Sequence, residues 1–120
     1  MTIISDVLVG LVALIHLYIV VLEMFLWTKP RTRAAFGLTA EFAEETRTLA
    51  ANQGLYNGFL ALALIWGLIA TDPTGLQLKL YGLVCVIVAG LYGAATASKR
   101  ILYVQAVPGA LALIAVLLTP

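Results

Sequence analysis

Charge is scarce in this chain. Lys, Arg, Asp and Glu make up 11% of its 120 residues, less than half of the roughly 25% usual in a globular domain. The charges nearly cancel, leaving a formal net of +1. No basic stripe exists to neutralise phosphates, which excludes a nucleic-acid partner. Cysteine is almost absent: Cys85 is alone, so no internal disulfide can form, and among Val, Leu and Ile it reads as a small buried hydrophobe. His16 is the only histidine, with no Ser or acid placed to share it in nucleophilic catalysis. No CxxC, HxxxH or ExxH spacing occurs, so no metal site is read. There is no convincing strand, and no Gly-rich loop following one to cradle phosphate.

Apolar residues are what the chain does have. They make up 62% of it, the mean hydropathy is +1.04, and they fall in four blocks of about spanning length. The pattern predicts an all-α integral membrane protein, one transmembrane domain over 1–120. Four transmembrane helices, at about 7–27, 49–70, 78–97 and 101–118, would form an up-down bundle. The segment 29–48 would be cytoplasmic and would carry an extension of helix two.

In chain order, Met1 to Asp6 holds no Lys or Arg, and the apolar run after it is too long for a signal peptide, so the first span reads as retained. Trp27 sits where an interfacial aromatic belongs, and Lys29-Pro30-Arg31-Thr32-Arg33 stops the helix. Thr39 is a plausible N-cap, with Glu41, Glu44 and Glu45 in early turns where the helix dipole favours anions. One long helix is expected over 39–70, roughly 48 Å at 1.5 Å per residue. Asp72-Pro73-Thr74-Gly75 has good turn chemistry. Span three carries small residues at Gly82, Ala89, Gly90, Gly93 and Ala94, suited to close helix contact. Ser98-Lys99-Arg100 is so tight a connection that spans three and four must be antiparallel neighbours. Span four contains Gln105 and Pro108-Gly109. Lys29, Arg31, Arg33, Arg47, Lys99 and Arg100 lie on one side and Lys79 on the other. By the positive-inside rule, both basic connections face the cytoplasm and both termini face out.

The polar groups within the spans share a depth. Counted from the cytoplasmic interface, Glu23 and Gln105 lie about 6 Å inside, Asn52 and Gln53 about 5 Å, and Asn57 about 12 Å. His16 is deeper, near the bilayer centre. His16 and Glu23 are two turns apart on one helix side; Glu45, Asn52 and Tyr56 share a face, and Gln53 and Asn57 form an adjacent row. Side-chain amides are costly in hydrocarbon unless something answers them. The confinement of all but His16 to one end predicts a polar chamber open to the cytoplasm, not a pore lined throughout. Its candidate ligand-binding residues are His16, Glu23, Asn52, Gln53, Tyr56, Asn57 and Gln105. Amides, tyrosines and a carboxylate suit a small polar or amphipathic ligand, and acid–base chemistry by Glu23 or Tyr56 is conceivable. Singly, each amide also reads as interhelical glue. His16 and Glu23, about 10 Å apart along the axis, cannot grip one metal ion.

His16, then Glu23-Met24-Phe25-Leu26-Trp27, then Asn52-Gln53-Gly54-Leu55-Tyr56-Asn57-Gly58-Phe59-Leu60-Ala61 resembles a bacterial family of small four-helix membrane proteins known only as a domain of unknown function. That resemblance covers nearly the whole chain. It implies the fold and a bacterial inner-membrane location, and no established activity. Arg47 to Leu64 is also similar to the second-helix signature of the membrane-associated eicosanoid and glutathione metabolism proteins, four-span trimers with a cytoplasm-facing glutathione site. Arg47 and Tyr56-Asn57 would fill parts of that pattern, although Tyr56 stands where the family has Glu and Gln53 where it has the first Asn. Three functions follow as expectations. The first is a ligand-binding membrane protein, with cofactor unknown. The second is a glutathione-using membrane enzyme with Arg47 and Asn57 on the tripeptide. The third is a structural or assembly subunit. The lipid bilayer is the expected environment and a homo-oligomer the expected assembly, because small-residue stripes offer helix contacts and a bundle this short offers little interior.

Overall fold

The computed structural model describes residues 2–119; Met1 and Pro120, the ends expected to face outward, lie outside the described residues. All regular structure among them is helical. The elements are α1 (Thr2–Met24), α2 (Pro30–Phe36), α3 (Ala40–Glu45), α4 (Arg47–Ile69), α5 (Thr74–Thr96), a π-helical turn (Leu102–Ala106) and α6 (Val107–Leu118). Two of these, α1 over Ile3–Met24 and α5, are long and apolar enough to cross a membrane; Leu102–Leu118 is a shorter apolar helix.

The described residues form two compact units, 16–59 and a second made of 1–15 with 60–120. In the second unit, four helices contribute to one core. Val9, Val12 and Ala13 come from α1, Leu64 from α4, Leu83 and Val86 from α5, and Ala112 and Val116 from α6. Glycines let these helices approach. A Cβ on Gly82 would stand 2.8 Å from Leu64 Cδ2, and one on Gly90 would stand 2.8 Å from the backbone nitrogen of Ala106. On Gly109 it would meet Val86 and Ile87 at 3.1 Å. Gly82, Gly90 and Gly93 of α5 therefore act as contact points, whereas Ala89 is exposed.

The π-turn runs directly into α6, whose second residue is Pro108. Proline removes a backbone donor and crowds the preceding turn, and widening that turn is a usual way to relieve it. The turn between α4 and α5 is tied by Asp72, whose Oδ1 accepts from the Leu76 backbone N–H at 3.1 Å.

In the unit 16–59, α1 stops at Met24, short of Trp27, and α2 begins at Pro30 in its first turn, ending on Gly37 in the left-handed region (φ 69°). Proline at a helix start forfeits nothing, because that N–H has no intrahelical partner. Thr39 caps α3, accepting from the Phe42 N–H at 3.1 Å. The single helix expected over 39–70 is interrupted at Thr46 (φ −99°, ψ 4°), between α3 and α4. The physical reason is the Thr46 hydroxyl. It donates to the Phe42 carbonyl at 2.7 Å and accepts from Trp27 Nε1 at 3.0 Å, drawing Thr46 toward the residues that follow α1. Trp27 also stacks at a tilt on Phe36, ring centroids 5.0 Å apart. The indole is thus fixed by protein contacts on both its polar and apolar sides.

Candidate functional site: a buried Glu23–Asn57 pair

The unit 16–59 buries three of its polar side chains deeply along α1 and α4. His16 is fully buried, Asn57 is 5% exposed and Glu23 9%. Asn57 Nδ2 donates to Glu23 Oε1 at 2.7 Å and to the Gln53 backbone carbonyl at 3.3 Å. The first distance lies in the short range of hydrogen bonds to charged acceptors. Gly54 makes the approach possible. A Cβ there would lie 2.7 Å from Met24 Cγ and 3.1 Å from Glu23 Cβ, so only glycine lets α4 come this close to α1. Four residues on, Gly58 has ordinary room, with Val20 Cγ2 at 3.7 Å. The pairing joins side chains 34 positions apart in sequence.

The structure sorts the seven candidate residues into three groups. Glu23 and Asn57 are brought together, and His16 is buried on the same side of α1 two turns earlier. Asn52, Gln53 and Tyr56 are exposed. The buried face of α4 in this unit carries Ala50, Gly54 and Asn57, and the row Asn52–Tyr56 lies off it. Tyr56 makes an edge contact with Phe59, centroids 5.7 Å apart. Gln105 is half-buried on the π-turn of the other unit, its Cβ beside Gly90. Arg47 is exposed and pairs with Glu44 at 3.6 Å.

Chemically, the pair spends one carboxylate oxygen and both amide N–H groups of Asn57, one on Glu23 and one on the Gln53 carbonyl. A carboxylate accepts at both oxygens, and an asparagine keeps its carbonyl acceptor. The pair therefore retains unspent acceptors, Glu23 Oε2 and Asn57 Oδ1. No group of three or more His, Cys, Asp or Glu able to hold a metal ion occurs among the described residues.

Sequence reasoning missed two features. Thr32, at 2% exposure, is buried in the 29–48 segment that reads as polar. A polar cluster of Ser5, Asp6, Asp72, Lys79 and Thr119 lines a cavity in the other unit. The available signal was Lys79, the one charged residue in the sequence of α5.

A small all-helical chain with two membrane-length apolar helices and a buried carboxylate–amide pair is the class that fold and site define. Within that class, a family model described as protein of unknown function (DUF1304) matches residues 10–117. The uncharacterized protein YpaA of Lactococcus lactis subsp. lactis (strain IL1403) is 35% identical over 119 residues, 98% of this chain and 97% of the relative. The chain belongs to the DUF1304 family. No solved structure matches it.

Proposed function

We propose that this chain is a multi-pass protein of the bacterial inner membrane. It is read as four spans in an up-down bundle, with its termini outside and the segment 29–48 in the cytoplasm. In this reading the Glu23–Asn57 pair, with His16 two turns deeper, binds a small polar or amphipathic ligand that reaches it from the cytoplasm.

The membrane reading rests on one observation, the inverted faces of α1. Its exposed positions include Ile3, Ile4, Val7, Leu11, Leu14, Leu17, Tyr18 and Val21, while Ser5, His16 and Glu23 are among its buried ones. Water would favour the reverse arrangement; hydrocarbon tolerates this one. Only 28% of the apolar window of α1, and 22% of that of α5, is buried within the chain, which is unlike the core helix of a soluble domain. Extraction of membranes at alkaline pH tests this: the chain should stay in the pellet, and release into the supernatant would remove the reading.

Ligand binding is supported by the unspent hydrogen-bonding capacity of the buried pair. A homo-oligomer is supported by Asn52, Gln53 and Tyr56, exposed on a helix whose neighbours are apolar. Amides are self-complementary donors and acceptors, and a second copy would satisfy them where lipid cannot. The direct 2.7 Å contact also favours a structural reading, in which the pair only joins two helices. The two readings separate on mass spectrometry of compounds carried through purification. A ligand role predicts a small molecule bound to the wild type and lost from a folded Glu23→Gln variant. The structural role predicts none. The glutathione alternative would use Arg47, whose exposed pairing with Glu44 lends it no particular support; a millimolar glutathione thermal shift tests it.

A further inference from the structure

A second polar site is built into the unit made of 1–15 and 60–120, where several helix ends meet. Its cavity measures about 150 Å³, the volume of roughly five waters at about 30 Å³ each. Ser5 and Asp6 come from the start of α1, Asp72 from the α4–α5 turn, Lys79 from α5 and Thr119 from the end of α6.

Lys79 is held in place. Its side chain is only 16% exposed, and its Nζ lies 3.8 Å from Asp6 Oδ1. Gly67 makes room for its stem, since a Cβ there would stand 2.8 Å from Lys79 Cγ and 3.0 Å from its backbone nitrogen. At 3.8 Å the Asp6 contact is an ion pair longer than a hydrogen bond, so the ammonium donors are not spent on it. Asp72 uses Oδ1 on the Leu76 N–H, leaving its second oxygen. Thr119 donates to the Ala115 carbonyl at 2.8 Å, leaving its oxygen as an acceptor. Ser5 is 2% exposed and lines the cavity.

One ammonium thus stands among two carboxylates and two hydroxyls. A ligand bearing only a phosphate would meet two carboxylates, and one bearing only a cation would meet Lys79. A ligand carrying both charges answers the whole set. The same helix ends expose Ile3, Ile4, Val7 and Leu118, an apolar surface along which acyl chains can lie. We propose that this cavity binds a phosphate ester of ethanolamine as the head of a membrane lipid, with the phosphate on Lys79 and the primary ammonium on Asp72, Ser5 and Thr119. The lipid source rests on the membrane reading above.

The test is lipid retention by the detergent-purified full chain in native mass spectrometry. The probes are phosphatidylethanolamine, phosphatidylcholine and phosphatidylglycerol with matched acyl chains. The ethanolamine lipid should be retained about tenfold over the other two, because choline lacks N–H donors and glycerol lacks the charge. Lys79→Gln and Asp72→Asn should each erase that preference, Lys79→Arg should keep part of it, and the distant Lys99→Gln should leave it intact. Equal retention of the three lipids, or an unaltered preference in both Lys79→Gln and Asp72→Asn, overturns the proposal. Thermal shift with soluble phosphoethanolamine separates the sources. A shift matching that of the lipid assigns the free ester, none assigns the lipid, and stabilisation by neither overturns the chemistry. Alkaline extraction scores the membrane reading independently.

Discussion

Removing both Glu23 and Asn57 should cost less than the sum of removing each alone. Asn57 Nδ2 sits 2.7 Å from Glu23 Oε1, and both residues are at least nine-tenths buried. Asn57→Leu deletes the donor and leaves a buried carboxylate facing aliphatic carbon. A hydrogen bond to a charged group contributes about 1.5–3 kcal/mol in water-soluble proteins. Measured interhelical hydrogen bonds in membranes average about 0.6 kcal/mol and reach about 1.7. The short distance and the burial place this pair toward the upper end, so Asn57→Leu should destabilise by about 1.5–2 kcal/mol. Glu23→Gln keeps an acceptor for the same N–H and should cost about 1 kcal/mol or less. The double variant Glu23→Leu/Asn57→Leu removes both polar groups at once. It should be less damaging than the sum of its singles, with a coupling of about 1 kcal/mol or more, as expected for residues in contact. The assay is reversible unfolding in mixed detergent micelles, with helicity as the signal. Strict additivity, a coupling under about 0.3 kcal/mol, would refute the claim that this contact links α1 to α4.

Further outcomes follow from the glycines and the caps. Gly54→Ala should lower the melting temperature, since its Cβ has 2.7 Å to Met24 Cγ and overpacking costs about 1–3 kcal/mol. Gly58→Ala, with 3.7 Å to spare, should be neutral or stabilising by up to about 1 kcal/mol through helix propensity; the two can be compared in one melting experiment. Gly90→Ala, in the other unit, should be more severe than Gly54→Ala, because the atom it meets at 2.8 Å is backbone. Trp27→Phe keeps the stacking on Phe36 and loses the Thr46 hydrogen bond, about 0.5–1.5 kcal/mol, with faster amide exchange at the start of α4 as the readout. Thr39→Ala should cost about 1 kcal/mol of cap energy, seen as fraying of α3 in the same exchange data.

Local chemistry was legible residue by residue. Thr39 announces a cap, Pro30 a helix stop and Asp72 a turn, because each acts on backbone groups within four positions; the short helix that Pro30 then begins was not foreseen. Small-residue spacing likewise pointed to close helix contact along α5, as found at Gly82 and Gly90. The break at Thr46 was not legible: it depends on Trp27, nineteen positions away, supplying the N–H that holds the Thr46 hydroxyl. The π-turn had only Pro108 as a signal, and that signal does not say whether a helix kinks, ends or widens.

By itself the sequence determined that this chain is helical, that it is too apolar for an ordinary soluble domain, and that Glu23 and Asn57 each needed an answering group. The tertiary structure decided which group answers which. Asn52, Gln53, Tyr56 and Asn57 lie within six positions on one helix, yet only Asn57 turns inward to Glu23, and Lys79 on α5 finds Asp6 on α1. The reason is physical. A helix fixes the angle between its own side chains, but composition says which face is inside only when the two faces differ in hydrophobicity. Where both faces are apolar that contrast vanishes, and the close approach allowed by Gly54 settles which amide is buried.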